Sequence, residues 1–262
     1  YYKLGNDIDA SDTVNWNAGE GFKPIGSSYT LSFTGQLDGN GKNINNLYIN
    51  YNGSYQGFFG YIYEGIVINT TLTGVNITGG GNSGGFIGYL SKGYIENCHT
   101  QGSISSTSNP SYALNYGGFA GRVNGPNLDK NVVIKECSAE VDVYASNCRR
   151  VGGFIGASFP SVEGIATADQ CYAKGRVEGN YEVGGFVGYH SVYSYNSKFS
   201  NCFARCHIDR LDTSDNYYES GFIGLLREPT TNIVFFFNCY SASTREQYDN
   251  YEGWFLGRVL NS

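Results

Sequence analysis

A glycine–phenylalanine box returns seven times along the chain, and no other feature narrows the fold as much. It reads Gly57-Phe58-Phe59-Gly60, Gly84-Gly85-Phe86-Ile87-Gly88, Gly117-Gly118-Phe119-Ala120-Gly121 and Gly152-Gly153-Phe154-Ile155-Gly156. It continues as Gly184-Gly185-Phe186-Val187-Gly188 and Gly221-Phe222-Ile223-Gly224, and ends degraded as Gly253-Trp254-Phe255-Leu256-Gly257. Successive box phenylalanines lie 28, 33, 35, 32, 36 and 33 residues apart. A repeat of that length belongs to a solenoid, a propeller or an array.

A second column runs between the boxes. Cys98, Cys137, Cys171, Cys202 and Cys239 each follow an apolar residue by three places and a polar residue by one. The unit is too long for one hairpin and too short for a four-stranded blade. It offers two or three short strands per winding, divided by Gly and Asn. Stacking equivalent strands about 4.8 Å apart gives an all-β parallel β-helix of about seven coils, a rod of roughly 35 Å plus caps. The box phenylalanines then form an internal file, and the box glycines allow sharp corners and close approach of layers.

Composition agrees. With 37 Gly, 23 Tyr, 16 Phe and no Met, the chain suits short strands and disfavours long helices. The net charge of −6 with scattered Lys and Arg lacks the basic stripe of a nucleic-acid binder. No run of 18 apolar residues is present, so no membrane insertion is expected. One cysteine per repeat implies a stack of free, buried thiols rather than a disulfide framework. Cys148 and Cys206 lie outside the column, and their redox state is left open.

The chain divides into an N-terminal cap segment, 1–35, repeat coils over 36–250, and a C-terminal coil and cap, 251–262, all in one β-helix domain. Connections vary in length at one corner, between the cysteine strand and the next box, as in Ser105–Tyr116, Ala145–Arg150 and Leu211–Glu219.

The boxes resemble the GLUG repeat, named for Gly-Leu-bulky-Gly, with Phe in the second place. The opening Leu4-Gly5-Asn6-Asp7-Ile8-Asp9, then Trp16-Asn17, then Gly21-Phe22-Lys23-Pro24-Ile25-Gly26, is similar to the entry segment before such repeats. So is Phe33-Thr34-Gly35-Gln36-Leu37-Asp38-Gly39-Asn40-Gly41-Lys42-Asn43-Ile44. The resemblance implies a right-handed parallel β-helix of the kind found in secreted or surface-anchored bacterial proteins, adhesin-like proteins and the non-catalytic flanks of immunoglobulin A-cleaving metallopeptidases among them. It brings no single activity and no catalytic residues to carry over. The tyrosine-rich loops and the cysteine column depart from the family pattern.

Motifs for chemistry are sparse. His-Glu-x-x-His, a G-x-S-x-G elbow and a phosphate loop are all missing from the sequence. The nearest approach to a metal site is Cys202 and Cys206 followed by His207. His99, His190 and His207 read as solvated or hydrogen-bonded histidines. A carbohydrate-active site would draw on Asp209, Arg210, Asp212, Asp215 and Glu219, or on Asp7, Asp9 and Asp38, all of which also suit turns. Asp7, Asp9 and Asp12 alternate as calcium ligands would, without the Gly and Glu of an EF-hand, so no cofactor is required and calcium is possible. Tyr55, Tyr116, Tyr181, Tyr217, Tyr218 and Tyr251 stand three to five residues before a box phenylalanine. Stacked coils bring them to one edge, where they either bind a ligand or cover loop bases.

The favoured reading is a non-catalytic secreted or cell-surface module, adhesin-like, that binds a glycan or a host or surface protein through that edge. The alternatives are a polysaccharide lyase or glycosidase on the same scaffold, and a fibre-forming structural protein. Oligomeric state is not legible.

Overall fold

The computed structural model describes residues 1–107, 114–124, 132–160, 167–192, 197–210, 218–228, 234–245 and 255–261. Every strand pairing in it is parallel, and one ladder runs from Tyr2 to Asn261. Apart from two short 3-10 turns at Ser11–Asn15 and Asn17–Gly19, the described residues hold only strands and their connections. The fold is a parallel β-helix.

A full winding uses four strands, not the two or three read from the sequence. Asn115–Gly117 leads into a box, Ala120–Asn124 leaves it, Val132–Lys135 leads to Cys137, and Ser138–Tyr144 follows. The next winding repeats this as Arg150–Gly152, Ile155–Phe159, Thr167–Asp169 and Tyr172–Gly179, each strand on its copy. Connections differ in length at two corners rather than one. Besides the corner before the box, chain is also inserted between Asn124 and Val132, Phe159 and Thr167, and Ser191 and Ser197.

The box phenylalanines form the expected file. Ring centroids of Phe86, Phe119, Phe154, Phe186, Phe222 and Phe255 follow one another at 5.1, 4.8, 4.8, 4.8 and 4.6 Å, with planes within 13°. Each fully buried ring contributes about 2–3 kcal/mol of transfer free energy. The file breaks at Phe58, which meets Phe86 edge-on at 6.2 Å. There Phe59 replaces the aliphatic residue of later boxes, and its ring lies 4.9 Å from Phe58 and 6.0 Å from Phe86. Two rings share a width that later layers give to one.

Box glycines are a steric requirement. A Cβ on Gly118 would sit 2.2 Å from the Gly153 carbonyl oxygen, and one on Gly153 would sit 2.2 Å from that of Gly185. The same corner brings the strands entering and leaving the box into backbone contact, since a Cβ on Gly156 would lie 2.6 Å from the Tyr116 nitrogen.

The cysteine corner is built differently. The residue before each column position has left-handed backbone: Asn69, Asn97, Glu136, Gln170, Asn201 and Asn238, with φ between 49° and 54°. Asn tolerates this region best after Gly, which accounts for four of the six. Their side chains link across layers, with Asn97 Nδ2 donating to Asn69 Oδ1 at 2.9 Å and Asn238 Nδ2 to Asn201 Oδ1 at 3.1 Å. The thiol that follows turns inward and donates to the carbonyl two residues back, at 3.3 Å for Cys98, 3.1 Å for Cys137 and 3.2 Å for both Cys171 and Cys202. All seven cysteines are free, and all but Cys239 are buried. Burial pushes the Cys148 thiol up to about 11 and Cys206 up to about 12.

Segment 1–35 pairs with the first coil instead of sealing it. Tyr2 and Lys3 lie on Leu37 and Asp38, and Ile8 and Asp9 on Ile44 and Asn45. An apolar cavity of about 560 Å³ remains at this end, lined by Leu4, Ile8, Trp16, Phe22, Ile25 and Leu37 among others. At the C-terminal end Leu256–Asn261 pairs with Ile223–Glu228, and Trp254 lies outside the described residues.

Replacing Gly153 by Ala is expected to destabilise the chain by about 3 kcal/mol or more, because the added methyl meets backbone that cannot move without opening a layer. Gly5→Ala, where a Cβ meets nothing within 4 Å, is the control and should change stability by less than about 0.5 kcal/mol. Urea denaturation of both variants checks this.

Candidate functional site

Two outward columns lie side by side where the box glycines press the entering and leaving strands together. Three residues beyond the box phenylalanines, the leaving strands align Tyr61, Tyr89, Arg122, Ala157, Tyr189 and Leu225. Four residues before the phenylalanine, the entering strands align Asn115, Arg150, Glu182 and Tyr218. Strand alternation makes the next position along, Tyr116, Val151, Val183 and Glu219, point inward, and all four are buried.

Toward the N-terminal end the flank is tyrosine. Tyr61 and Tyr89 stack at 4.5 Å, and Tyr55 meets both edge-on at 5.4 and 5.7 Å. Tyr29, 64% exposed, meets Tyr61 and Tyr63 edge-on at 5.9 Å each. Burial pushes the Tyr89 hydroxyl up to about 12 despite the opposing charge of Arg122, so it stays a neutral donor. A groove of about 280 Å³ adjoins this cluster, lined by Glu20, Lys23, Tyr51, Ser54, Tyr55 and Gln56 among others.

Further along, arginine replaces tyrosine. The Arg122 guanidinium lies 5.3 Å from the Tyr89 ring and 4.5 Å from Phe159. The Arg150 guanidinium lies 5.1 Å from the same Phe159 ring and 4.3 Å from Tyr189. Phe159 packs against Ala157, the small residue of its column, with Tyr189 and Leu225. Arg122 Nε donates to Asn124 Oδ1 at 2.9 Å. Arg150 Nε is buried without a hydrogen-bond partner. Burial draws the Arg150 guanidinium below its usual value, Arg149 and Arg122 add to the effect, and Glu182 opposes it. Two guanidiniums on one ring are at most about 10 Å apart and repel by about 2 kcal/mol or more at an effective dielectric near 20, before screening by salt.

The tyrosines singled out in the sequence do not form one row. Tyr55 and Tyr218 join the flank, Tyr218 packing on the cluster of Ala157, Tyr189 and Leu225. Tyr181 is half-buried, its carbonyl accepting from the Tyr218 amide at 2.7 Å. Tyr116 is inside the helix and donates to the Gly79 carbonyl at 2.8 Å, so its place at an exposed edge is corrected. Tyr217 and Tyr251 lie outside the described residues. Tyr61, Tyr89, Tyr189 and Arg122 stand three residues after a box phenylalanine, on the leaving strand, and Arg150 is not aromatic, so tyrosines placed before a box do not point to them.

The acidic residues serve the scaffold. Asp7 accepts from the Asn43 amide at 2.9 Å, Asp9 from the Ser11 amide at 3.0 Å, and Asp38 from the Asn40 amide at 2.8 Å. Asp12 is exposed on the first 3-10 turn. Among the described residues no group of three His, Cys, Asp or Glu is arranged to hold a metal. Cys202 and Cys206 turn to different carbonyls, those of Ala168 and Gly185. Asp209 is ion-paired with Arg176 and lies 3.3 Å from His207 Nε2, and Glu182 is ion-paired with Arg149 at 3.0 Å. The side chain of Arg210, and all of Asp212 and Asp215, lie outside the described residues.

The histidines differ from one another. His99 bridges Ser138 and Asn97, and His207 reaches Thr244. His190 is not solvated. It occupies the inward column of Ile62, Leu90, Val123, Ser158 and Leu226, 2.7 Å from Ser197 Oγ. Burial lowers it from 6.5 to about 3.

No family model matches the sequence, so the likeness to GLUG repeats rests on the boxes themselves. Halomucin of Haloquadratum walsbyi (strain DSM 16790 / HBSQ001) is 42% identical over 84 residues, 30% of this chain. The chain spans about 1% of the length of that curated relative. Among solved structures, a candidate immunoglobulin A1 protease from Bacteroides ovatus is similar over 100% of this chain and 77% of its own, at a TM-score of 0.67 and 20% identity. That likeness is one of fold.

The neutral His190 sets a pH dependence. The unfolded chain takes up a proton near pH 6.5 that the folded chain refuses until about pH 3, so stability falls as pH drops through this window. His190→Leu, which installs the residue that Leu90 and Leu226 already supply in that column, should flatten the loss by up to about 1.4 kcal/mol per pH unit. Urea midpoints at pH 7 and pH 5 measure it, and parallel slopes for both proteins would refute the assignment.

Proposed function

We propose that the chain is a non-catalytic β-helical module, displayed outside the cell, that binds a carbohydrate through the flank beside the box glycines. The observation that carries this reading is the tyrosine cluster at the N-terminal end of the flank, where Tyr29, Tyr55 and Tyr63 pack around Tyr61 and Tyr89 as exposed or half-buried rings beside a groove lined by Glu20, Lys23 and Gln56. Sugar rings stack on such faces while the tyrosine hydroxyls and groove side chains take their hydroxyls. The parallel β-helix supplies a rigid, extended support on which successive layers present a ligand edge, as suits a polymer.

The extracellular setting is supported by the likeness to halomucin over 84 residues. The free thiols fit either redox setting, because burial and hydrogen bonding to carbonyls remove them from oxidants. The non-catalytic reading is supported by the pairing of the described carboxylates. Glu182, Asp209, Glu96 and Glu140 are held by Arg149, Arg176, Lys135 and Lys174.

The test is a glycan array followed by a reducing-end assay on every glycan bound. Binding without bond cleavage is expected, with Tyr29→Ala and Tyr63→Ala each weakening it about tenfold, the scale of one lost stacking contact. Release of new reducing ends, or binding untouched by both substitutions, would refute the proposal.

A further inference from the structure

Arg150 is the least compensated charge on this flank. Its guanidinium lies against the rings of Phe159 and Tyr189, which also touch each other, its Nε is buried without a hydrogen-bond partner, and no described carboxylate forms a salt bridge with it. Glu182, the acid nearest in the columns, is taken by Arg149. Arg122 faces the same Phe159 ring from the adjoining layer, held by Asn124 at one nitrogen. Two like charges are therefore gathered on one half-buried ring in a chain whose net charge is −6. Burying unpaired cations disfavours folding unless something returns that cost, and the aromatic faces return only part of it.

We propose that the Arg122–Phe159–Arg150 bracket binds an anionic group, a carboxylate or a sulfate ester, carried on a saccharide. Planar guanidiniums fixed by ring faces lose little freedom when they meet such a group, and each can present two parallel donors. The site lies beside the tyrosine cluster on the same pair of columns, so this inference rests on the glycan-binding reading and specifies its ligand as acidic. The negative charge of the rest of the chain repels a polyanion, so capture must come from this local pair and not from bulk attraction.

The experiment titrates the whole chain with polygalacturonate, dextran sulfate and neutral dextran at an ionic strength of about 0.15 M. At least one polyanion should bind tenfold or more tightly than dextran, and whichever does so distinguishes carboxylate from sulfate. Arg150→Met should cut that affinity at least tenfold while leaving dextran binding within twofold. Arg150→Lys keeps the charge without the planar face, should fall between, and serves if the Met variant fails to fold by thermal melt. Equal affinity for all three polymers, or an anion preference that survives in a folded Arg122→Met/Arg150→Met double variant, would overturn the proposal. If dextran binds the wild type and loses affinity on Tyr29→Ala, while no anion preference exists, the inference fails and the glycan-binding reading stands. If none of the three polymers binds, both fail.

Discussion

Close backbone approach at the box glycines governs everything else in the molecule. With carbonyl oxygens 2.2 Å from where a Cβ would lie on Gly118, Gly153 and Gly185, the chain can turn inside one layer and still lie flat on the next. This contact fixes the register of the layers. It also seats the phenylalanine that follows directly over its copies, at 4.6–5.1 Å from Phe86 onward. And it draws the entering and leaving strands together, which sets two outward columns next to one another. The flank is a by-product of the same sterics that make the core.

The opposite corner meets a similar demand by other means. A left-handed residue turns the strand, and a cysteine just after it fills the corner with a small apolar side chain whose thiol satisfies a carbonyl. Alanine would fill the space and leave that acceptor to its single backbone donor. Serine would offer a stronger donor at a higher desolvation cost. The backbone ladder continues through the turn, with the Gln170 amide donating to Ser200 and the Tyr172 amide to Cys137. The five column thiols thus belong to turn construction, while Cys148 and Cys206 are buried elsewhere, and all seven cysteines are free.

Much of this architecture was legible in the residues. The box period gave the solenoid, the phenylalanine file and the glycine corners, because identical sterics recur in every layer. The cysteine stack was legible for the same reason. The left-handed residue before each cysteine was half visible: four positions carry Asn, and Glu136 and Gln170 obscured the rule. The flank was misplaced by parity. Tyr116 stands three residues before its phenylalanine and points in, whereas Tyr218 stands four before and points out. Tyr55 stands three before Phe58 yet points out, because the first box lacks one glycine, which puts Gln56 and not Tyr55 in register with Ser83. The pairing of Arg122 with Arg150 depends on which side of Phe159 each approaches, and no sequence spacing encodes that.

Nearest-neighbour coupling within the phenylalanine file is the property most specific to in-register stacking, and a double-mutant cycle reads it directly. Phe154→Leu and Phe186→Leu, whose rings lie 4.8 Å apart, should show a coupling energy of about 0.5–1.5 kcal/mol in urea unfolding. The same cycle on Phe86 and Phe222, which have three box phenylalanines between them, should give a value within about 0.5 kcal/mol of zero. Additive behaviour of the adjacent pair, or equal coupling in both cycles, would contradict the stacked coil on which the whole account stands.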